Sequence, residues 1–286
     1  MQINRASVLS AALLVLSLTP APSLAQGGLR QYSRQAMIGG KLPASILLVG
    51  YSSDAADIEK LFDIVLSRAG ETYAKLDGAN PSSEAAMLAS DGKTASSPEV
   101  VAAFEAVRKV CDWTGGAFEV VTSGGSCRDI KVGKDSVEFR GKGAKLDLSP
   151  MIAGFMAEMM ARLINAAGMS NAVVKVGNVF RGFGQGLTGP WKIQVQDDAG
   201  TFAHHALNLT VLNTGIATVS ATQYRGSPAA SSCRGTVAVM SDAALAEGVA
   251  YAAFRLGPEA GFKLLSSVAK GLVVDANGKF MRTPGF

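Results

Sequence analysis

Apolar positions recur with a helical period in several stretches of this chain and alternate in several others. Ile58, Leu61, Phe62, Val65 and Leu66 fall on one face of a helix that Asp54 would cap. Ser96-Ser97-Pro98-Glu99 is a helix start, with an N-cap, a proline and an early acid. The helix that follows turns Val101, Phe104, Val107, Val110 and Cys111 to one side. Ala153 to Ala166 is rich in Ala, Met and Leu with no interior proline, so it is expected to be helical. Ser149-Pro150 supplies its cap and first position, and Gly168 its stop. Ala246 to Leu256 predicts a further helix. Strands are expected at 45–51, 145–148, 172–176, 189–195 and 236–240. A final hairpin runs from Leu272-Val273-Val274 through the turn former Asn277-Gly278. Gln26 to Lys41 shows little periodicity and reads as an arm.

Strands and helices do not alternate strictly, and several strands meet through hairpin-like turns. The pattern therefore predicts an α+β fold with a largely antiparallel, mixed sheet and packed helices. With 286 residues, 48% of them hydrophobic and 17% charged, the chain can bury a sizeable core. Without an internal repeat or low-complexity linker, one domain over residues 26–286 is the simplest division. The net charge of +4 is spread thinly, with no dense basic run, which argues against nucleic acid as a partner.

Residues 1–25 have the form of a cleaved signal peptide. Arg5 gives the positive start, Val8 to Leu18 a short apolar core, and Ser23-Leu24-Ala25 a small-residue cleavage site before Gln26. That core is too short to span a bilayer, and no later segment approaches the required length, so no membrane span is expected and the mature protein is placed in a periplasm. Such a compartment permits disulfides. Of the three cysteines, Cys111 lies on the apolar helical stripe and reads as a buried thiol. Cys127 and Cys233, both in Ser/Gly-rich loops, form the candidate bridge. His204 and His205 lack matching Cys or His partners and read as a solvated loop pair.

The stretch from Lys145 to Asn178 reads as strand, turn, helix and strand in one pass, and junctions of that kind present free backbone N–H groups to phosphates. Its residues Asp147-Leu148-Ser149-Pro150-Met151-Ile152-Ala153-Gly154-Phe155-Met156-Ala157-Glu158 resemble a segment of the ApbE family of FAD:protein FMN transferases, in which the position of Ala153 is a lysine. Ser83-Glu84, Thr114-Gly115-Gly116-Ala117-Phe118-Glu119, Gly177-Asn178, Pro190-Trp191, the turn-like segment Asn213 to Ser220, and Gly257-Pro258-Glu259-Ala260-Gly261 extend the likeness over nearly all of the mature chain. Trp191 and Phe118 are most simply core residues.

The resemblance implies a reaction in which FAD is split at its pyrophosphate and FMN passes to a threonine of a partner protein. It also implies Mg2+, held by oxygen ligands. The family's metal helix, Ala-Asp-Ala-Leu-Ala-Thr-Ala, falls on Ala246-Glu247-Gly248-Val249-Ala250-Tyr251-Ala252, so its Asp becomes Glu247 and its Thr becomes Tyr251. The family's carbonyl ligand falls on Ile152. The implied metal residues are thus Glu247 and Ile152, with Asp242 a substitute carboxylate outside the helix. The implied flavin-binding residues are Glu84, Gly154, Gly177, Asn178 and Ser220. Glu247 reads either as a residual metal ligand or as a solvated acid on a helix surface. The family's loop before Pro228 keeps only Gly226 and Pro228. Turn and core positions are kept while the lysine, aspartate and threonine are replaced. The expectation is a divergent, exported ApbE-like protein that binds a flavin nucleotide or a periplasmic redox protein, its transferase activity impaired or lost. The alternative is an active Mg-dependent FAD:protein FMN transferase that attaches FMN to a threonine of a periplasmic redox protein.

Overall fold

The computed structural model describes residues 28–141, 145–195, 201, 207–222, 224 and 233–286. The proposed leader, His204-His205 and the segment around Pro228 lie outside these. The chain opens with the hairpin β1 (Leu29–Ile38) and β2 (Leu42–Tyr51), then forms the long helix α1 (Ala55–Leu76). Helix α2 (Glu84–Asp91), strand β3 (Lys93–Ala95) and helix α3 (Pro98–Trp113) follow. Four short strands come next: β4 (Val121–Ser123), β5 (Ile130–Val132), β6 (Ser136–Phe139) and β7 (Lys145–Leu146). Helix α4 (Ile152–Ala166) leads into the hairpin β8 (Ala172–Val176) and β9 (Val179–Phe183). Strands β10 (Gln185–Gly186), β11 (Gly189–Val195) and β12 (Leu207–Val211) make a small separate sheet. The chain closes with β13 (Thr214–Ser220), β14 (Cys233–Met240), α5 (Ala243–Leu256), α6 (Pro258–Val268), β15 (Lys270–Asp275) and β16 (Phe280–Arg282).

The main sheet has eight strands in the order β1-β2-β8-β9-β13-β14-β15-β16, and each neighbouring pair in it is antiparallel. Its central strands are apolar on both faces because both are covered. Val174, Ala217, Ala238 and Val273 face the helices. Their strand neighbours Val173, Ile216, Val237 and Leu272 face Trp191, Ile193, Val195, Leu207 and Val211 of the small sheet. Trp191 and Phe118 are core residues, as expected. Among the described residues no helix is long and apolar enough to cross a membrane.

The structure corrects several local readings. Residues 29–38 are an edge strand, not an arm; the partly covered positions of β1 include Tyr32 and Arg34, so its alternation is not an apolar one. Of the segment that resembled a turn at Asn213 to Ser220, all but Asn213 is strand β13, buried on both sides. Ser149 does not cap α4. The Asp147 carboxylate takes the Ser149 N–H (2.9 Å) in a turn, and the helix starts at Ile152 behind Met151 with no side-chain cap. The disulfide joins Cys111 to Cys127, two residues 16 apart with Cα atoms at 6.0 Å. Cys233 is the buried cysteine outside it, its thiol bonded to the Gly235 carbonyl. Pairing depends on where α3 docks against the short 3-10 turn at Cys127–Asp129, and the composition of the flanking loops carries no such information.

Candidate functional site

Gly177 and Asn178 form the two-residue turn of the β8–β9 hairpin, closed by the Val176–Val179 pair. Gly177 has φ of +53°, a conformation that a side chain would strain. Its N–H donates to the Pro43 carbonyl (2.9 Å), and the Asn178 carbonyl accepts from Thr218 at 3.4 Å. These bonds lock the turn between β2 and β13. A Cβ placed on Gly177 would sit 3.8 Å from the Cβ of Ala153, in the first turn of α4. Ala153 is 7% exposed, so its methyl closes this corner and offers no charge or donor.

Helices α4 and α5 cross next to that corner. At Gly154 a Cβ would stand 2.4 Å from the Ala243 carbonyl oxygen, so only glycine permits this approach of the two backbones. The crossing brings Glu247 of α5 onto the N-terminal turn of α4, where its Oε2 accepts the Gly154 N–H at 2.6 Å. Helix N-termini offer unpaired donors and favour negative charge. Glu247 is nevertheless only 6% exposed, and burial pushes its carboxyl up to about 8, with the single Gly154 N–H acting against that shift. The reading of Glu247 as a solvated surface acid is therefore overturned.

Tyr251 lies one turn further along α5, half-buried, with its ring 5.9 Å from that of Tyr224. Tyr224 also packs on Phe254 at 4.9 Å. The Tyr224 N–H is bonded to the carbonyl of Ser220, whose buried hydroxyl shares a hydrogen bond with Thr222 (2.9 Å). Gly154, Gly177, Asn178, Ser220 and Glu247 thus gather where the β8–β9 turn, the end of β13 and the α4–α5 crossing meet. Glu84 does not join them through any such bond; its carboxylate accepts the Ser97 N–H (2.7 Å) and caps α3.

The oxygen donors in this corner do not suit Mg2+. No group of three or more His, Cys, Asp or Glu residues that could hold a metal ion occurs among the described residues. Ile152, in the first turn of α4, could offer only its main-chain carbonyl, since its side chain is apolar and buried. Asp242 is no substitute ligand. It caps α5 through the Leu245 N–H (3.0 Å) and pairs with Arg162 (2.9 Å), and burial, then the neighbouring Glu158, raises its pKa. A hard cation that demands several near-ideal oxygen ligands would find Glu247 as the one carboxylate among these residues, with one of its oxygens already committed to Gly154.

A second charged group escaped the sequence reading. Glu158, 5% exposed, accepts from Arg181 Nε (2.8 Å), Arg162 Nε (3.0 Å) and the Ala243 N–H (2.9 Å). The available signal was a lone carboxylate inside an Ala/Met-rich helix, four residues after Gly154 and so on its face.

The ApbE family model matches residues 123–274, just over half of the chain. Among solved structures, the chain resembles the apo flavinyl transferase ApbE of Pseudomonas stutzeri at 15% identity, with a TM-score of 0.77 over 92% of this chain and 97% of that one. The flavin transferase ApbE of Vibrio cholerae matches at 14% identity and a TM-score of 0.74, covering 90% of this chain and 98% of that one. The ApbE protein of Thermotoga maritima matches at 16% identity and a TM-score of 0.72, over 89% and 97% of the two chains. No curated protein matches this sequence. The structural likenesses, at such low identity, establish the fold, and the family match goes further: this chain belongs to the ApbE family.

Proposed function

We propose that this protein is an exported, ApbE-fold binding protein that holds a flavin nucleotide or a periplasmic redox protein and has lost the magnesium-dependent transfer step. One observation carries the reading: Glu247, at the family's metal-carboxylate position, is folded onto the Gly154 N–H in a buried corner. The departures around it point the same way. Ala153 stands where the family has lysine, which removes a positive charge from the place where a pyrophosphate would lie, and Tyr251 stands where it has threonine. What remains is the kept frame of Gly154, Gly177, Asn178 and Ser220, which can bind without reacting. The export signal proposed for residues 1–25 places that binding in the periplasm.

Equilibrium dialysis of the mature protein against FAD, with and without Mg2+, tests this, with the nucleotides analysed for AMP. FAD retained without AMP release is the expected result for a flavin binder. Magnesium-dependent AMP release would overturn the proposal and establish the alternative, an active FAD:protein FMN transferase using Glu247, for which the retained carboxylate is the supporting observation. Absence of FAD binding would leave a partner protein as the ligand, to be sought by pull-down from periplasmic extract.

A further inference from the structure

The opposite end of the β8–β9 hairpin from Gly177-Asn178, where Ala172 pairs with Phe183, opens into a cavity of about 350 Å³. That is within the size range of small-molecule sites. Arg181, whose side chain is 11% exposed, is held there by three acceptors: the Glu158 carboxylate, the Gly182 carbonyl and the Asn213 side-chain oxygen, each at 2.8 Å. Asn213 is the one residue other than glycine with positive φ (+49°) among the described residues, and this strained turn is what presents its amide to Arg181. The Glu158 carboxylate also takes the Ala243 N–H at the start of α5, and Arg181 alone would neutralise it. Arg162 is a second guanidinium, 69% exposed at the mouth, with its Nη1 unpartnered among the described residues.

The chemistry of the lining selects a ligand class. Both Glu158 oxygens are already taken by Arg162, Arg181 and the Ala243 N–H, whereas Arg162 and the side chain of Asn165 retain unpaired donors. The cavity therefore favours a group that only accepts, and the unpartnered Nη1 of Arg162 together with the Asn165 amide suits a carboxylate. Glu158 and Asp242 offset the charges of the two arginines, so the lining disfavours a phosphate dianion more than a singly charged carboxylate. Phe183 and Ala161 add an apolar wall. We propose that this cavity binds a small organic carboxylate with an apolar body, its carboxylate on the Arg162 Nη1 and the Asn165 amide and its body against Phe183. The site is distinct from the Gly177 corner and does not depend on the flavin reading.

The test is calorimetric titration of the mature protein with benzoate, and separately with inorganic phosphate. It is repeated for Arg162→Ala and for Asn165→Leu, the latter an exposed rim position whose side chain makes no bond among the described residues. Saturable benzoate binding is expected, weakened about tenfold or more in both variants, with unchanged melting temperature of the unliganded Asn165→Leu protein. Phosphate should not bind, and saturating FAD should not displace benzoate. Absence of saturable benzoate binding, binding unchanged in both variants, phosphate binding as tight as benzoate, or displacement by FAD would each overturn the proposal.

Discussion

Burying Glu247 at the α4–α5 crossing couples its proton to folding. In the unfolded chain this carboxyl ionises near its ordinary value of 4.5; in the folded protein it holds its proton up to about 8. Between those values the native state binds more protons, so stability falls as pH rises through the window and levels off above it. Glu247→Gln keeps an oxygen for the Gly154 N–H but removes the titration. Denaturant unfolding from pH 5 to 9 should show wild type losing up to about 4 kcal/mol relative to the variant. Parallel profiles would show that this carboxyl does not carry the effect. Gly154→Ala tests the same contact from the other side, because its methyl meets the Ala243 carbonyl 2.4 Å away. A loss of about 1–3 kcal/mol or more is expected, read as a lowered melting temperature. The importance of position 247 was legible in the sequence. Its burial was not, because that follows from how closely two distant helices approach at one glycine.

Among the elements, those specified by local signals were the readable ones. The strand expected at 172–176 is β8 with the same bounds, and Ser97-Pro98-Glu99 does begin α3. Elements defined by their partners were not readable. Strand β1 owes its existence to pairing with β2, and β13 to being covered on both faces. The disulfide belongs with these. It ties α3 to the turn at Cys127, and closing a loop of this size contributes about 3 kcal/mol by the chain-entropy argument. The Cys111→Ser, Cys127→Ser double variant should lose roughly that much in denaturant unfolding. Thiol counting checks the pairing directly. Cys233 is buried and its thiol is pushed up to about 12, so the native protein should not react with a disulfide reagent at pH 8. Unfolding without reductant should expose one thiol per chain out of three cysteines; three would mean no bridge.

At the scale of the whole molecule, the fold outlasts sequence identity: TM-scores of 0.72 to 0.77 accompany identities of 14 to 16%. If the proposed loss of the transfer step resides in three positions, restoring them should be informative. Ala153→Lys, Glu247→Asp and Tyr251→Thr combined should give magnesium-dependent AMP release from FAD where the wild type gives none. A folded triple variant that stays silent would place the deficit elsewhere. The strand order carries a consequence for assembly. Strand β2 is hydrogen-bonded on its inner side to β8, pairing residues 44–48 with 172–176. A two-stranded hairpin is marginal by itself in water. The N-terminal hairpin must therefore wait for its neighbour in the sheet, with α1 packed beside it, until more than half of the polypeptide has emerged. Such distant pairing makes for slow folding, so the first strands to appear are among the last to be secured.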